Sequence, residues 1–139
     1  MILADSSAWV EFLRATGSPV HLSLRSALEQ RVGLATTEVV VMEILAGARS
    51  DGDRLRLRRM LLGVTFLGLE GLADYERATD LYRLCRAAGE TPRTLSDCLI
   101  AVVAMRSDAE LLCHDSDFLA IASHAPLRLA AWRVSPRST

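Results

Sequence analysis

Five acids, Asp5, Glu43, Asp97, Asp115 and Asp117, stand where carboxylates can do chemistry. Taken singly, most have an ordinary explanation. Asp5 falls where an apolar run gives way to a helical pattern, and a carboxylate there caps the helix. Asp97 follows Thr94 at capping-box spacing, and its charge suits a helix N-terminus. Asp115 and Asp117 straddle another strand-to-helix junction. Glu43 differs, because it is the only charge between Val39 and Ala48. Its ordinary reading is an ion pair or a side chain reaching for solvent, since a buried unpaired acid is costly.

The joint pattern says more. Asp5 and Asp115 both end apolar strands, and parallel strands place binding sites at that edge. Asp97 starts a buried helix, from which its carboxylate reaches the same edge. With Glu43 facing inward, three or four carboxylates share one pocket. Like charges that close cannot all stay ionised without compensation. A hard divalent cation, Mg2+ or Mn2+, is the natural compensation, because it takes oxygen ligands. Such an ion orients and acidifies a water and neutralises phosphate charge, which is phosphoryl chemistry. One ion or two would serve. Zinc is disfavoured, because the three His and three Cys show no ligand spacing.

These acids need elements to hold them. Apolar runs predict strands over 1–4, 33–36, 64–69, 110–114 and 127–131. Helical spacing predicts helices over 6–14, 20–30, 38–48, 53–62, 71–88, 94–106 and 116–123. Thr37 is the expected N-cap of the third helix, whose Val39-Val40-Val41 run pulls instead toward strand. The fifth is expected to bury Leu72, Tyr75, Leu81, Leu84 and Cys85 on one face and to end at Gly89. Residues 132–139 read as a loose tail. Strands alternating with helices imply an α/β fold with a mainly parallel sheet.

Composition narrows the alternatives. The chain has 139 residues, half of them hydrophobic, which suits a single globular domain. Its net charge of −1 excludes nucleic-acid or membrane binding by bulk positive charge. All 16 basic residues are Arg. Without Lys there is no P-loop lysine and no Schiff base. The rival for an acidic pocket on a parallel sheet, a phosphoacceptor or phosphatase domain, commonly needs a Lys and falls with it. No G-x-G-x-x-G or G-x-S-x-G motif occurs. The N-terminus has no basic region of the secretory type, and no apolar run is long enough to span a membrane. Cys85, Cys98 and Cys113, odd in number and without CxxC spacing, suggest reduced thiols and a cytoplasmic setting.

Four blocks then become recognisable together. Residues 2–9 (Ile-Leu-Ala-Asp-Ser-Ser-Ala-Trp) resemble the opening of PIN-domain proteins. Residues 43–47 (Glu-Ile-Leu-Ala-Gly) look like their E-x-x-x-G helix. Residues 94–101, around Asp97, resemble the central aspartate helix, and residues 111–118 the terminal D-x-D-F junction. In length and Ala/Arg-rich style the chain is most similar to VapC-type toxins of bacterial toxin–antitoxin pairs.

The resemblance implies a three-layer PIN-like domain over 1–131, a mainly parallel central sheet with helices on both faces. It implies a Mg2+-dependent endoribonuclease (Mn2+ as a substitute), cutting tRNA or rRNA through a metal-activated water. It also implies a VapB-like antitoxin as partner, a homodimer and a toxin–antitoxin hetero-oligomer. By motif Asp5, Glu43, Asp97 and Asp115 are the catalytic, metal-site acids. Asp117 is a further metal acid or supports the ligands from outside, and Ser7 is a hydroxyl holding Asp5. Cys113 departs from the family, where Thr or Ser often stands two residues before the last-motif aspartate; a thiol is the weaker hydrogen-bonding group. Arg49 and Arg54, in a stretch of local charge +3, are candidate RNA contacts. His114 is a candidate for phosphate contact or proton transfer. The rival readings are a PIN nuclease without a toxin role and an inactive PIN module that acts by binding partners.

Overall fold

In the computed structural model, which describes residues 1–130, strands and helices alternate as the patterning requires. The order is β1 (Ile2–Ala4), α1 (Ser6–Leu13), α2 (Pro19–Gln30), β2 (Leu34–Thr36), α3 (Glu38–Ala46), α4 (Asp51–Leu61), β3 (Thr65–Phe66), α5 (Leu72–Ala87), α6 (Leu95–Arg106), β4 (Glu110–Leu112) and α7 (Asp117–His124). The strands form one sheet in the order β3-β2-β1-β4, and every pairing is parallel. Ala131 and the expected tail 132–139 lie outside the described residues.

The chain winds outward from β1 to β2 and β3, then returns to lay β4 on the other side of β1. Parallel crossovers are right-handed, so this reversal sends α1–α4 to one face and α5–α6 to the other. β1 and β4 therefore flank the point where the winding direction changes, and a crevice opens beyond their C-terminal ends. Asp5 and Asp115 sit just past those ends.

The core explains the elements. Leu3 and Ala4 of β1 and Leu111 of β4 are fully buried, as central parallel strands should be. α6 runs through the interior and buries Cys98, Ile100, Ala101, Val102, Val103 and Ala104. The β-branched run of α3 is helical because Val39 and Val40 pack into the core, and packing overrides the local preference. Thr37 holds the N-cap position of α3, but its hydroxyl donates to Glu38 Oε1 (3.1 Å) and caps no backbone N–H. All three cysteines are buried and none is in a disulfide. Among the described residues, no helix is long and apolar enough to cross a membrane.

Three expectations need correction. The strand expected over 64–69 is only Thr65–Phe66, an exposed edge strand lengthened by Leu67 N–H donating to Thr36 O (2.8 Å). Leu127–Ala130 forms no strand. It makes a single parallel bridge, Leu111 to Leu129, on two hydrogen bonds at the free edge of β4. The buried face of α5 is also different. Leu72, Tyr75 and Leu84 are exposed, while Asp74, Ala78, Leu81 and Cys85 point inward at helical spacing. Hydrophobic counting cannot find that stripe, because one of its members is an aspartate.

Asp74 is tolerated inside because α6 neutralises it. Its carboxylate accepts from Arg106 Nε (3.1 Å) and Nη2 (2.7 Å), from Arg77 Nη1 (2.9 Å) and from Glu70 N–H (2.8 Å). Burial pushes its pKa up, and the hydrogen bonds from Arg106, Glu70 and Arg77 outweigh that and hold it below the ordinary value. α5 stops where expected: Gly89 takes φ +81°, and Glu90 N–H reaches back to Cys85 O (2.9 Å).

Candidate active site

The crevice at the β1–β4 end is assembled from three helix starts and one helix interior. Asp5 N–H donates to Leu112 O (2.9 Å), so the end of β1 is stitched to the end of β4. The Asp5 carboxylate caps α1, with Oδ2 accepting from Ser7 N–H (3.1 Å) and Ser7 Oγ (2.6 Å). The Ser7 hydroxyl in turn accepts from His114 N–H (2.9 Å). One side chain thereby fixes Asp5 and ties α1 to the turn after β4.

Glu43 projects from α3 toward the same place, where Ser6 Oγ donates to its Oε1 (2.6 Å). The same hydroxyl lies 3.4 Å from Asp5 Oδ1, and its single hydrogen belongs to the shorter contact. Asp97 stands in the first turn of α6, its N–H donating to Thr94 Oγ1 (3.3 Å). Asp115 Oδ1 accepts from Asp117 N–H (2.9 Å), a turn that opens α7. Arg93 spans both acids, with Nη2 to Asp115 Oδ1 (3.0 Å) and Nε to Asp117 Oδ2 (2.8 Å).

Asp5, Ser6, Ser7, Glu43, Asp97, Asp115, Asp117 and Arg93 all line one cleft of about 460 Å³. Asp97, Asp115 and Asp117 each offer an oxygen, and these atoms lie within 4.8 Å of one another. Five acids against one arginine make the electrostatics lopsided. Burial, then the charges of Asp5, Asp115, Asp117 and Glu43, push Asp97 up to about 7. Burial also raises Asp5, against the lowering effect of its Ser7 hydrogen bonds. Hydrogen bonding to Asp117, with the charges of both acids, raises Arg93.

This donor set suits a hard divalent cation. Every donor is oxygen, and the Asp97 carboxylate receives no hydrogen bond from any described residue. Such a group, ringed by other acids, lacks the positive charge that an ion would supply.

The cleft therefore gathers Asp5, Ser7, Glu43, Asp97, Asp115 and Asp117, and leaves three sequence candidates outside. The His114 ring faces α1, with Nε2 3.8 Å from Glu11 Oε1. Arg49 lines a second groove of about 570 Å³, which adjoins the first along Val10, Glu43 and Ile44. Arg54 lines neither. Two cleft residues escaped the sequence reading. Ser6 was overshadowed by its neighbour, although adjacent hydroxyls after a capping aspartate can serve two acids. Arg93 was invisible because its partners lie 22 and 24 positions away.

The chain is similar to known proteins along almost its whole length. The PIN domain pattern matches residues 2–123. Ribonuclease VapC11 of Mycobacterium tuberculosis is 42% identical over 134 residues, covering 96% of this chain and all of that one. A toxin–antitoxin complex from Klebsiella pneumoniae shares the fold with a TM-score of 0.67 at 20% identity, over 93% of this chain and 100% of that one. Mycobacterium tuberculosis VapC20, described as a toxin that cleaves the sarcin-ricin loop, shares it with a TM-score of 0.63 at 16% identity, over 92% and 99% of the two chains.

Proposed function

The chain belongs to the PIN-domain family, alongside the VapC ribonucleases, and from that premise we propose that it is the toxin nuclease of a VapBC-type pair, hydrolysing RNA phosphodiesters. The observation that carries this reading is the convergence of Asp5, Glu43, Asp97 and Asp115 on one cleft, from four separate parts of the sequence.

Asp5, Asp97, Glu43 and Asp115 would hold Mg2+ or Mn2+, with Asp117 as an additional acid. Bound there, the ion supplies Lewis acidity to a phosphate oxygen and acidifies a water. The protein's own groups provide the rest. Ser7 locks the Asp5 carboxylate, and Ser6 holds Glu43 toward the cleft. Arg93 and the Asp117 N–H fix one oxygen of Asp115, leaving its other oxygen for a ligand. Asp97, its pKa pushed up to about 7 by burial and the neighbouring acids, is about half protonated near neutral pH and would ionise fully beside a bound cation.

The partners proposed with this activity are a VapB-like antitoxin, a second copy of the chain, and tRNA or rRNA as substrate in the cytoplasm. Sequencing of RNA 5′ ends after brief induction tests the activity and names the target. The wild type should generate new, discrete 5′ ends that Asp97→Asn does not. Identical ends from both proteins would remove Asp97 from the site. No new ends from the wild type would overturn the ribonuclease reading.

A further inference from the structure

Among the described residues Arg93 is the one cation lining a cleft of five acids, and the way it is held leaves part of it idle. Its Nε–H and one Nη2–H are taken by Asp117 and Asp115. A guanidinium carries five N–H groups. Of the remaining three, one on Nη1 and one on Nη2 form the end-on edge, and no described residue accepts from either. The side chain is 70% exposed, so that edge is open to solvent at the cleft mouth. An edge of two adjacent N–H donors matches two oxygens of a phosphate.

We propose that Arg93 is the phosphate-receiving residue of the cleft: anchored side-on by Asp115 and Asp117, it presents its free end-on fork to a non-bridging oxygen pair of the bound RNA backbone. The inference rests on the ribonuclease reading and adds to it the group that binds the substrate. Two features of the cleft favour it over a purely charge-balancing role. Anchoring at two points fixes the plane of the guanidinium before substrate arrives, so less freedom is lost on binding. The anchor is also shared with the acids of the cleft, so the phosphate is delivered beside Asp97, which has one carboxylate oxygen within 4.8 Å of an oxygen of Asp115 and of Asp117.

The test is binding of a short fluorescein-labelled single-stranded RNA, followed by anisotropy over a range of KCl in the Asp97→Asn background. Arg93→Gln should weaken binding about tenfold and lower the slope of log Kd against log salt by about 0.7, the loss of one phosphate contact. Arg93→Lys should keep the slope and recover only part of the affinity, because an ammonium restores charge but not the fork. Thermal midpoints of the variants show whether each is folded. A folded Arg93→Gln that binds within twofold of its parent with an unchanged slope overturns the proposal and leaves the ribonuclease reading standing. Full recovery by Arg93→Lys overturns the fork. If the Asp97→Asn parent binds no RNA, the ribonuclease reading and the Arg93 role fall together.

Discussion

Asp97 concentrates the cleft's electrostatic strain in one carboxyl group. Its pKa of about 7 lies above the unfolded value of 3.8, chiefly through burial and then through four neighbouring acids. Between those two values the folded protein holds a proton that the unfolded chain releases. Stability of the metal-free protein therefore falls as pH rises across that window and levels off above it. Asp97→Asn removes the effect: its free energy of unfolding in denaturant should exceed that of wild type at about pH 8, by on the order of 2 kcal/mol, and match it near pH 4. Equal stabilities at both pH values would mean that Asp97 is an ordinary surface acid. Metal affinity should follow the same titration, rising with pH until Asp97 is ionised in the free protein; isothermal titration with Mg2+ at several pH values checks it. Ser7→Ala should cost about 2 kcal/mol in denaturant unfolding, because it strips a donor from Asp5 and an acceptor from His114 N–H.

At the scale of elements, α6 is the member that joins site to scaffold. Its first turn carries Asp97 into the cleft, and its last carries Arg106 to the buried Asp74 of α5 and to Gly68 O (2.8 Å). Arg106→Ala strips the buried Asp74 of its two-point partner, leaving Arg77 and the Glu70 N–H, and should destabilise by about 2 kcal/mol. The double variant Asp74→Leu with Arg106→Met should unfold at a midpoint close to wild type, since a packed apolar pair replaces a buried ionic one. If the double variant is as weak as the single, the pair does more than neutralise its own burial. This pair also marks the limit of what the chain reveals unaided. The acids that end β1 and β4 and begin α6 were legible, because each sits at a boundary that apolar runs and capping residues announce. The inner face of α5 was not, because the principal partner that lets Asp74 sit inside is an arginine 32 positions later. The short bridge at Leu129 was likewise hidden, since an apolar run states burial and not pairing.

Across the whole molecule, the near-zero net charge conceals a division. The acids collect where β1 and β4 meet the reversal of winding, and a local charge of +3 lies along the segment from Arg49 to Arg59. A cation bound to the cleft stabilises only the folded form. Mg2+ at a hundred times its Kd should therefore raise stability by about 2.7 kcal/mol, and EDTA should abolish that gain. A thermal midpoint indifferent to both would argue against a metal in this crevice.

The hydrogen bond from His114 to Ser7 spans 107 positions of sequence, and this has a consequence for the order of synthesis. A ribosome that has delivered β1 through α5 has exposed Asp5 and Glu43 but neither Asp115 nor the strand that precedes it. Contacts so distant in sequence close last, after the local helices have formed. The cleft is therefore completed only when β4 slots in beside β1, after every element from α1 to α6 has been made. A nascent chain that stops short of β4 holds Asp5 and Glu43 without the Asp115 that closes the cleft.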